Sequence, residues 1–157
     1  MKIQLLSEGA QAPKRVNEFA AGHDLYVPKD TIIYPGRNII PLDFKIALDP
    51  GTVGTIKSRS GFAVKGMEAY AVDQNNKKIG DKLRINADVE RGDVDEDYRG
   101  VVGVIVKNHC EDPYLIEKGT RIAQMIITKY EAPTIEFCES LEDTERGEGG
   151  YGHTGTK

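Results

Sequence analysis

Alternating carboxylates between two glycines form the most chemically distinctive stretch of this sequence. Asp93, Asp95 and Asp97 lie within Gly92–Gly100, and Tyr98 follows the last of them. A carboxylate held near a desolvated wall can act as a general base toward water, and an adjacent aromatic ring can pack against a substrate. A solvated acidic turn fits the same residues, so this stretch alone leaves both interpretations open.

A calcium-binding loop is excluded by the residues on the C-terminal side of the aspartates. The three carboxylates match the first three ligand positions of such a loop, which then requires glycine at the sixth position and glutamate at the twelfth. Those positions hold Tyr98 and Val104. We therefore do not expect a calcium site of this type.

Strand-like segments flank the acidic stretch and would position it. Leu83, Ile85, Ala87 and Val89 alternate with polar residues, and Val101–Val106 is a β-branched run typical of a buried strand. Two strands joined by a glycine-bounded acidic connection predict a hairpin with carboxylates at its tip.

Short strand signals recur along the whole chain, separated by glycine, proline and aspartate. This pattern predicts an all-β subunit, a sandwich or a distorted jelly roll or β-barrel. One short helix is predicted around Gly61–Lys65, and 157 residues suit a single domain. The expected strands are Ile3–Leu6, Thr31–Tyr34, Asn38–Ile40, Phe44–Leu48, Thr52–Ile56, Leu83–Val89, Val101–Val106, Arg121–Thr128 and Thr134–Phe137.

Composition narrows the classes of function. A net charge of −4 argues against broad nucleic-acid binding, and no segment has the apolar length needed to span a membrane. Cys110 and Cys138 are far apart and the three histidines are scattered, so we expect reduced thiols and no protein-held metal. The first residues lack the apolar region of a secretion signal, which favours a cytoplasmic protein.

Three further stretches carry polar groups at fixed positions. Lys57–Gly61 joins a strand to the predicted helix and could bind phosphate through its amides, although a turn with an N-cap serine fits equally well. Ala20–Leu25 suggests close backbone packing beside a carboxylate, as do many structural turns. Arg121 and Gln124 are three residues apart, which places them on opposite faces of a strand unless a bulge intervenes.

The last twelve residues, Arg146–Lys157, include five glycines and should be mobile in isolation. Gly150 and Gly155 have P-loop spacing, but Thr-Lys follows them in place of Lys-Ser/Thr, so this is not a Walker A loop. A flexible linker is one interpretation. The other is a lid in which the glycine backbone wraps phosphates, Arg146 adds charge and Tyr151 covers a base.

Taken together, five of these stretches resemble, in order, the five motifs of the trimeric deoxyuridine triphosphatases (dUTPases). The resemblance implies a jelly-roll-like subunit, a homotrimer with active sites between subunits, and hydrolysis of dUTP to dUMP and pyrophosphate. It also implies Mg²⁺ held mainly by the substrate triphosphate and water, and a cellular role in keeping uracil out of DNA and supplying dUMP for thymidylate synthesis. The matching segments are Ala21–Leu25, Ser58–Gly61, Gly92–Gly100, Gly119–Gln124 and Arg146–Gly155.

The resemblance implies a role for each matching residue. Asp95 would activate the water that attacks the α-phosphorus, and Tyr98 would pack against the deoxyribose. The backbone of Gly92 and Gly103 would lie against uracil, where a thymine methyl would clash. The residues expected to hold the phosphates or close over the nucleotide are Arg59, Ser60, Gly61, Gln124, Arg146, Tyr151, Gly152, His153 and Thr154, and those expected to support the site are Asp24 and Arg121.

Several positions depart from the family pattern. Asp93 stands where the family usually has an apolar residue, and it would raise the pKa of Asp95 if it pointed inward. We expect it to point outward. Tyr151 replaces the commoner phenylalanine and preserves stacking, whereas His153 replaces a usual serine.

The interval between the second and third motifs is longer than the family usually has. We therefore expect an added hairpin arm within residues 67–91 of a β domain spanning 1–145, followed by a glycine-rich lid at 146–157. The arm could bind a regulatory protein. A dCTP deaminase, a nucleotide-responsive binding protein and a purely structural β-sandwich remain as alternatives. Ammonia release from dCTP would indicate the first, nucleotide-dependent capture of a partner the second, and absence of pyrophosphate release from dUTP the third.

Overall fold

The computed structural model describes residues 1–150, and these form short antiparallel strands with one short helix. The all-β class and the helix near Gly61–Lys65 are thereby confirmed. In chain order the elements are β1 (Lys2–Leu5), β2 (Gly22–Tyr26), β3 (Thr31–Ile33), β4 (Gly36–Pro41), β5 (Phe44–Ala47), β6 (Thr52–Lys57), α1 (Ser60–Lys65), β7 (Met67–Val72), β8 (Lys78–Ile85), β9 (Ala87–Val89), β10 (Gly92–Val94), β11 (Gly103–Asn108), β12 (Tyr114–Ile116) and β13 (Arg121–Lys129).

Within the described residues these strands form four small sheets. Their orders are β1–β5, β10–β6–β13–β2, β4–β11–β9 and β3–β12–β7–β8. The second sheet carries most of the predicted site. Gly92 of β10 lies opposite Ile56 of β6, while Gln124 of β13 lies opposite both Lys57 of β6 and Asp24 of β2.

Alternating burial along the strands builds the core. In β11, Val104 and Val106 are fully buried, and in β8 and β9 the predicted apolar face is confirmed, with Ile85 and Ala87 each only 4% exposed. Burying one such aliphatic side chain contributes about 1.5–3 kcal/mol. These strands are therefore held by their inward faces, which leaves their connections free to carry polar residues.

Two of the expected strands differ from the structure by more than one or two residues at an end. The segment Leu83–Val89 is divided at Asn86, because the chain changes partners there: β8 pairs with β7, whereas β9 pairs with β11. Thr134–Phe137 is not a strand in this chain, and Phe137 is 98% exposed. A strand needs a neighbour for its backbone groups, and this segment has none among residues 1–150.

Three strands were missed by the sequence patterns, β2, β10 and β12, whereas β7 lies in the segment where a hairpin arm was expected. Of the missed strands, β2 and β10 lie where the sequence suggested turns or connections, and β10 and β12 have only three residues each. Among residues 1–150, no helix has the length and apolar character needed to cross a bilayer.

Candidate functional site

Two surface clefts collect the predicted site residues within the described part of the chain. The first, which we call the carboxylate cleft, has a volume of about 180 Å³ and is lined by residues that include Gly92, Asp93, Asp95, Tyr98 and Gly103. The second, which we call the cationic cleft, has a volume of about 390 Å³ and is lined by residues that include Asp24, Arg59, Ser60, Gly61, Arg121 and Gln124.

The catalytic candidate Asp95 lies at the start of a tight turn between β10 and β11. The Tyr98 N–H donates to the Asp95 carbonyl at 3.1 Å, and the Arg99 guanidinium donates to the carbonyls of Glu96 at 2.7 Å and of Tyr98 at 2.9 Å. These bonds define the backbone of the turn. The Asp95 side chain is exposed, so a water molecule can reach its carboxylate.

Tyr98 folds back over its own turn. Its hydroxyl donates to the Val101 carbonyl at 3.1 Å, and a Cβ added to Gly100 would overlap the Tyr98 ring. The glycine that ends the acidic stretch is therefore required for the ring to lie at the mouth of the carboxylate cleft.

The two glycines predicted to face uracil differ in their surroundings. A Cβ built on Gly103 would lie 3.1 Å from the Ile39 Cγ2 atom, so packing within the chain already disfavours a side chain there. A Cβ on Gly92 would have no heavy atom within 4 Å. Internal packing gives no reason for glycine at Gly92, whereas a ligand that approaches the backbone would.

A largely buried carboxylate, that of Asp24, organises the cationic cleft. Asp24, whose side chain is only 13% exposed, pairs with Arg59 Nε at 2.9 Å and with Arg121 at 3.2 Å. Charge-assisted bonds of this kind are stronger and more directional than neutral ones. Asp24 therefore holds two guanidinium groups side by side, as expected of a residue that supports a phosphate site.

Gln124 and Arg121 line the same cleft, which corrects the expectation that they occupy opposite faces. The register of β13 against β2 shifts between Arg121 and Ala123, and this bulge turns the strand so that both side chains share one side. The Gln124 amide donates to the Ser58 carbonyl at 2.9 Å. The amide has room because position 22 is glycine.

The corner between β6 and α1 does not use a serine cap. Arg59 occupies the N-cap position with extended backbone and no side-chain capping bond, and Ser60 is the first helical residue. The interpretation of this stretch as a turn with an N-cap serine is therefore wrong. The hydroxyl of Ser60 and the guanidinium of Arg59 both line the cationic cleft.

Asp93 is bound by neighbours other than Asp95. Its carboxylate accepts from the Thr55 hydroxyl at 2.6 Å and pairs with Arg91 at 3.2 Å, and its side chain is 42% exposed. The Thr55 hydrogen bond, followed by the charge of Arg91, lowers the pKa of Asp93 below its usual value. The extra carboxylate of this sequence therefore stays ionised on the exposed side of β10.

Part of the predicted lid lies beyond the described residues. Arg146 is exposed, and its Nε donates to the Gly149 carbonyl at 2.8 Å. Tyr151, Gly152, His153 and Thr154 lie outside the residues that the structure describes.

Two contacts of the site were missed by sequence reasoning. The Gly51 N–H donates to the Glu96 carboxylate, which joins the acidic turn to the β5–β6 turn. Gly22 makes room for Gln124 across a pair of strands. Both link residues far apart in the chain, so no local spacing could have revealed them.

The donors in residues 1–150 do not form a protein cage for a metal. No group of three or more histidine, cysteine, aspartate or glutamate side chains is clustered there for one ion. Asp24 is already taken by two arginines. Both cysteines, Cys110 and Cys138, are free.

Comparison with known proteins relates this chain to one family. The dUTPase family model matches residues 8–77 and 82–155. The human mitochondrial deoxyuridine 5′-triphosphate nucleotidohydrolase is 39% identical over 156 residues, which cover 99% of this chain and 54% of that protein. The mouse deoxyuridine 5′-triphosphate nucleotidohydrolase is 40% identical over 156 residues, covering 99% of this chain and 85% of the relative. This chain therefore spans about half of the human relative and most of the mouse one.

A solved structure agrees with these sequence matches. The dUTPase of Staphylococcus bacteriophage 80alpha with dUPNHPP superposes with a TM-score of 0.79 at 26% sequence identity, covering 98% of this chain and 97% of that one.

Proposed function

Because this chain belongs to the dUTPase family, we propose that it hydrolyses dUTP to dUMP and pyrophosphate. The observation that carries the proposal is the pairing of two clefts, one offering an exposed carboxylate beside an aromatic ring, the other two guanidinium groups and an amide. Such an enzyme would keep uracil out of DNA and supply dUMP for thymidylate synthesis.

A nucleotide panel tests this function. Pyrophosphate release is measured with dUTP, dTTP, dCTP and UTP in the presence of Mg²⁺, and ammonia release from dCTP is assayed in parallel. We expect pyrophosphate from dUTP alone at an appreciable rate. Ammonia from dCTP would instead indicate a deaminase, and no turnover of any nucleotide would favour a structural protein.

The chemical step requires a base and an environment that stabilises charge. Asp95 accepts a proton from the water that attacks the α-phosphorus, which breaks the bond to the pyrophosphate leaving group. A positioned general base contributes on the order of 10²–10⁴ in rate, so it cannot account for the whole acceleration. The rest comes from donors that hold the triphosphate and neutralise its developing charge.

Arg59 and Gln124 are the donors best placed for that task. Arg59 is held by Asp24, and Gln124 is held by its bond to the Ser58 carbonyl. Both side chains are therefore oriented before substrate binds. This lowers the conformational entropy that they lose when they bind the phosphates. Ser60 and the backbone at Gly61 complete this surface.

The carboxylate cleft would select uracil over thymine and deoxyribose over ribose. Gly92 has open space beside it and Tyr98 lines the same cleft, so a base would approach the Gly92 backbone while the Tyr98 ring would exclude a ribose 2′-hydroxyl. One methyl group in a pocket is worth only about 1–3 kcal/mol. Closure of the lid, through Arg146, Tyr151, Gly152, His153 and Thr154, adds the remaining discrimination and contacts the γ-phosphate.

The division of site residues between two clefts supports a homotrimer. In one chain Asp95 lines the carboxylate cleft, whereas Arg59 and Gln124 line the cationic cleft. Ile135 and Phe137 are 80% and 98% exposed. Large apolar side chains exposed close together indicate a surface that another protein covers. We propose that neighbouring subunits cover these residues and bring the two clefts together. Size-exclusion chromatography coupled to light scattering measures the mass of the assembly and so tests whether it contains three subunits.

Mg²⁺ fits this chemistry as a companion of the substrate. The cationic cleft offers one carboxylate, Asp24, and two arginines already bind it. Mg²⁺ favours phosphate oxygens and retained waters over a protein cage, so the triphosphate would supply most of its ligands. When bound, it neutralises charge on the phosphates. Loss of turnover in EDTA, restored by added Mg²⁺, is the expected result.

A second function, binding of a regulatory protein, is favoured by the β7–β8 hairpin. The family match is interrupted at residues 78–81, inside β8. This strand is at the edge of its sheet, and six of its eight residues are exposed. An exposed edge strand can pair with a strand of another protein. The 80alpha enzyme is described as one of the phage dUTPases that control transfer of virulence genes by a G protein-like mechanism.

This second function is tested by capture from host lysate with and without a non-hydrolysable dUTP analogue. A variant whose residues 73–81 are replaced by a short turn serves as the control. Identical partners for both proteins in both conditions would remove the idea.

A cytoplasmic location, in which Cys110 and Cys138 would remain reduced, is checked by cell fractionation.

A further inference from the structure

Three distant segments meet at Gly51, in the turn between β5 and β6. The Gly51 N–H donates to the Glu96 carboxylate, and the Gly51 carbonyl accepts from the Tyr130 N–H at 3.1 Å. Glu96 is the neighbour of Asp95 in the acidic turn. Tyr130 follows the last residue of β13, where the C-terminal segment departs.

Glu96 and Tyr130 reach this junction in different ways. Glu96 is half-buried, whereas Asp95 and Asp97 on either side of it are exposed. Desolvation raises the pKa of the Tyr130 hydroxyl, and the nearby Glu96 carboxylate raises it further. The hydrogen bond of Tyr130 to the junction is made by its backbone N–H, which donates to the Gly51 carbonyl.

The β5–β6 turn is a firm support for these bonds. Gly51 has a φ of +74°, in the left-handed region that other residues rarely adopt, and the Thr52 hydroxyl donates to the Asp49 carbonyl at 2.6 Å. The Gly51 N–H is thereby aimed outward at Glu96.

The remaining hydrogen bonds of the acidic turn are local. Those made by Tyr98 and Arg99 stay between residues 95 and 101. They define the shape of the turn, whereas its place on the protein depends on the β10–β6 ladder, which ends at Val94, and on the bond of Glu96. The Glu96 carboxylate reaches a residue 45 positions away in the sequence.

We propose that Glu96 is a positioning residue for Asp95, and that Tyr130 extends the same junction to the root of the C-terminal segment. This inference rests on the proposed dUTP hydrolysis. Displacement of a reacting group by about 1 Å can cost on the order of 10²-fold in rate. Loss of the Glu96 bond should therefore slow the chemical step while leaving the phosphate donors, and hence substrate binding, in place.

The kinetic test compares Glu96→Ala, Glu96→Gln and Tyr130→Phe with Asp97→Asn, a neighbouring exposed carboxylate. We expect Glu96→Ala to lower kcat about tenfold or more with KM within about twofold of wild type. Glu96→Gln keeps an oxygen that can accept from Gly51 and should recover most of the rate. Tyr130→Phe keeps the backbone bond to Gly51 and should resemble wild type, as should Asp97→Asn.

Hydrogen–deuterium exchange of the free protein gives a readout that does not depend on turnover. Exchange at the Gly51 amide and in residues 92–100 should be faster in Glu96→Ala, with unchanged exchange in β2 and β13. Wild-type kcat and exchange in Glu96→Ala would overturn the proposal, as would equal kcat losses in Glu96→Ala and Asp97→Asn. If the wild-type enzyme released no pyrophosphate, the proposed function would fail, while the exchange data would still decide whether Glu96 anchors the turn.

Discussion

Gly22 of β2 and Gln124 of β13 are diagonal neighbours, since Gly22 pairs with Ile126, and the Gln124 amide occupies the space where a side chain at position 22 would lie. A Cβ at position 22 would overlap the Gln124 Oε1 atom. The amide is thereby free to bind the Ser58 carbonyl at 2.9 Å and to line the cationic cleft.

Gly22→Ala should displace Gln124 and weaken substrate binding. We expect KM for dUTP to rise about tenfold, which corresponds to about 1.4 kcal/mol, because one phosphate donor is misplaced. The double variant Gly22→Ala/Gln124→Ala provides the control, since the clash disappears with the glutamine. Steady-state kinetics should show the double variant no worse than Gln124→Ala alone, and additive losses would refute this relationship.

Gly100→Ala should move Tyr98 away from the carboxylate cleft. The added methyl would meet the Tyr98 ring, so the ring can no longer cover the position of a 2′-hydroxyl. The ratio of kcat/KM for dUTP to that for UTP should fall by roughly tenfold or more, as in Tyr98→Ala. An unchanged ratio in both variants would separate Tyr98 from sugar selection.

Asp93 gives the protein an acid-sensitive contribution to stability. Its pKa is lowered in the folded state by the Thr55 hydroxyl and by Arg91, so the contribution is present above the ordinary aspartate value of about 3.9 and is lost as pH falls through the lower folded value. The wild type should therefore lose more stability than Asp93→Asn as pH falls from about 5 to about 3. The difference will be small because the carboxylate is partly exposed.

Thermal unfolding at several pH values measures this difference. Thr55→Val serves as the matched variant, since it removes the largest cause of the shift and should reduce the acid dependence as well. Parallel curves for the wild type and Asp93→Asn would contradict the assignment.

Removal of the residues after Glu145 should abolish lid closure. Arg146 and the glycine-rich segment would be lost, and turnover of dUTP should fall by at least about 10²-fold, because donors to the γ-phosphate are missing. The last strand within residues 1–150, β13, ends at Lys129, so the number of subunits found by light scattering and the unfolding temperature should be unchanged. A truncated enzyme with near-normal kcat would show that the lid has no catalytic part.

Local patterns predicted the all-β class, the short helix and the alternating face of Ile85 and Ala87, because these depend on neighbours in sequence. They did not predict the bulge after Arg121, which arises where β13 pairs with β2, nor the break at Asn86, whose carbonyl binds the distant His109. The Gly51–Glu96 contact joins residues 45 positions apart. Long-range pairing decides such features, and no local period encodes them.

The candidate site likewise has features that local sequence predicted and features that it did not. The acidic turn and the Arg59 corner were visible as motifs, whereas their separation into two clefts of one chain was not. That separation depends on where β10 and β13 flank β6 in the sheet. Because the two clefts are separate in one chain, an active site shared between subunits can be tested by combining subunits that each lack one cleft.

Complementation between two inactive variants tests this central claim most directly. Asp95→Asn lacks the base but should still bind a non-hydrolysable dUTP analogue, and Arg59→Ala lacks a phosphate donor; each alone should release almost no pyrophosphate. Co-expressed in equal amounts, they should form mixed trimers in which about a quarter of the shared sites combine an intact carboxylate cleft with an intact cationic cleft, and activity should return to that fraction. Mixed trimers that remain as inactive as the separate variants would contradict a site built from two subunits.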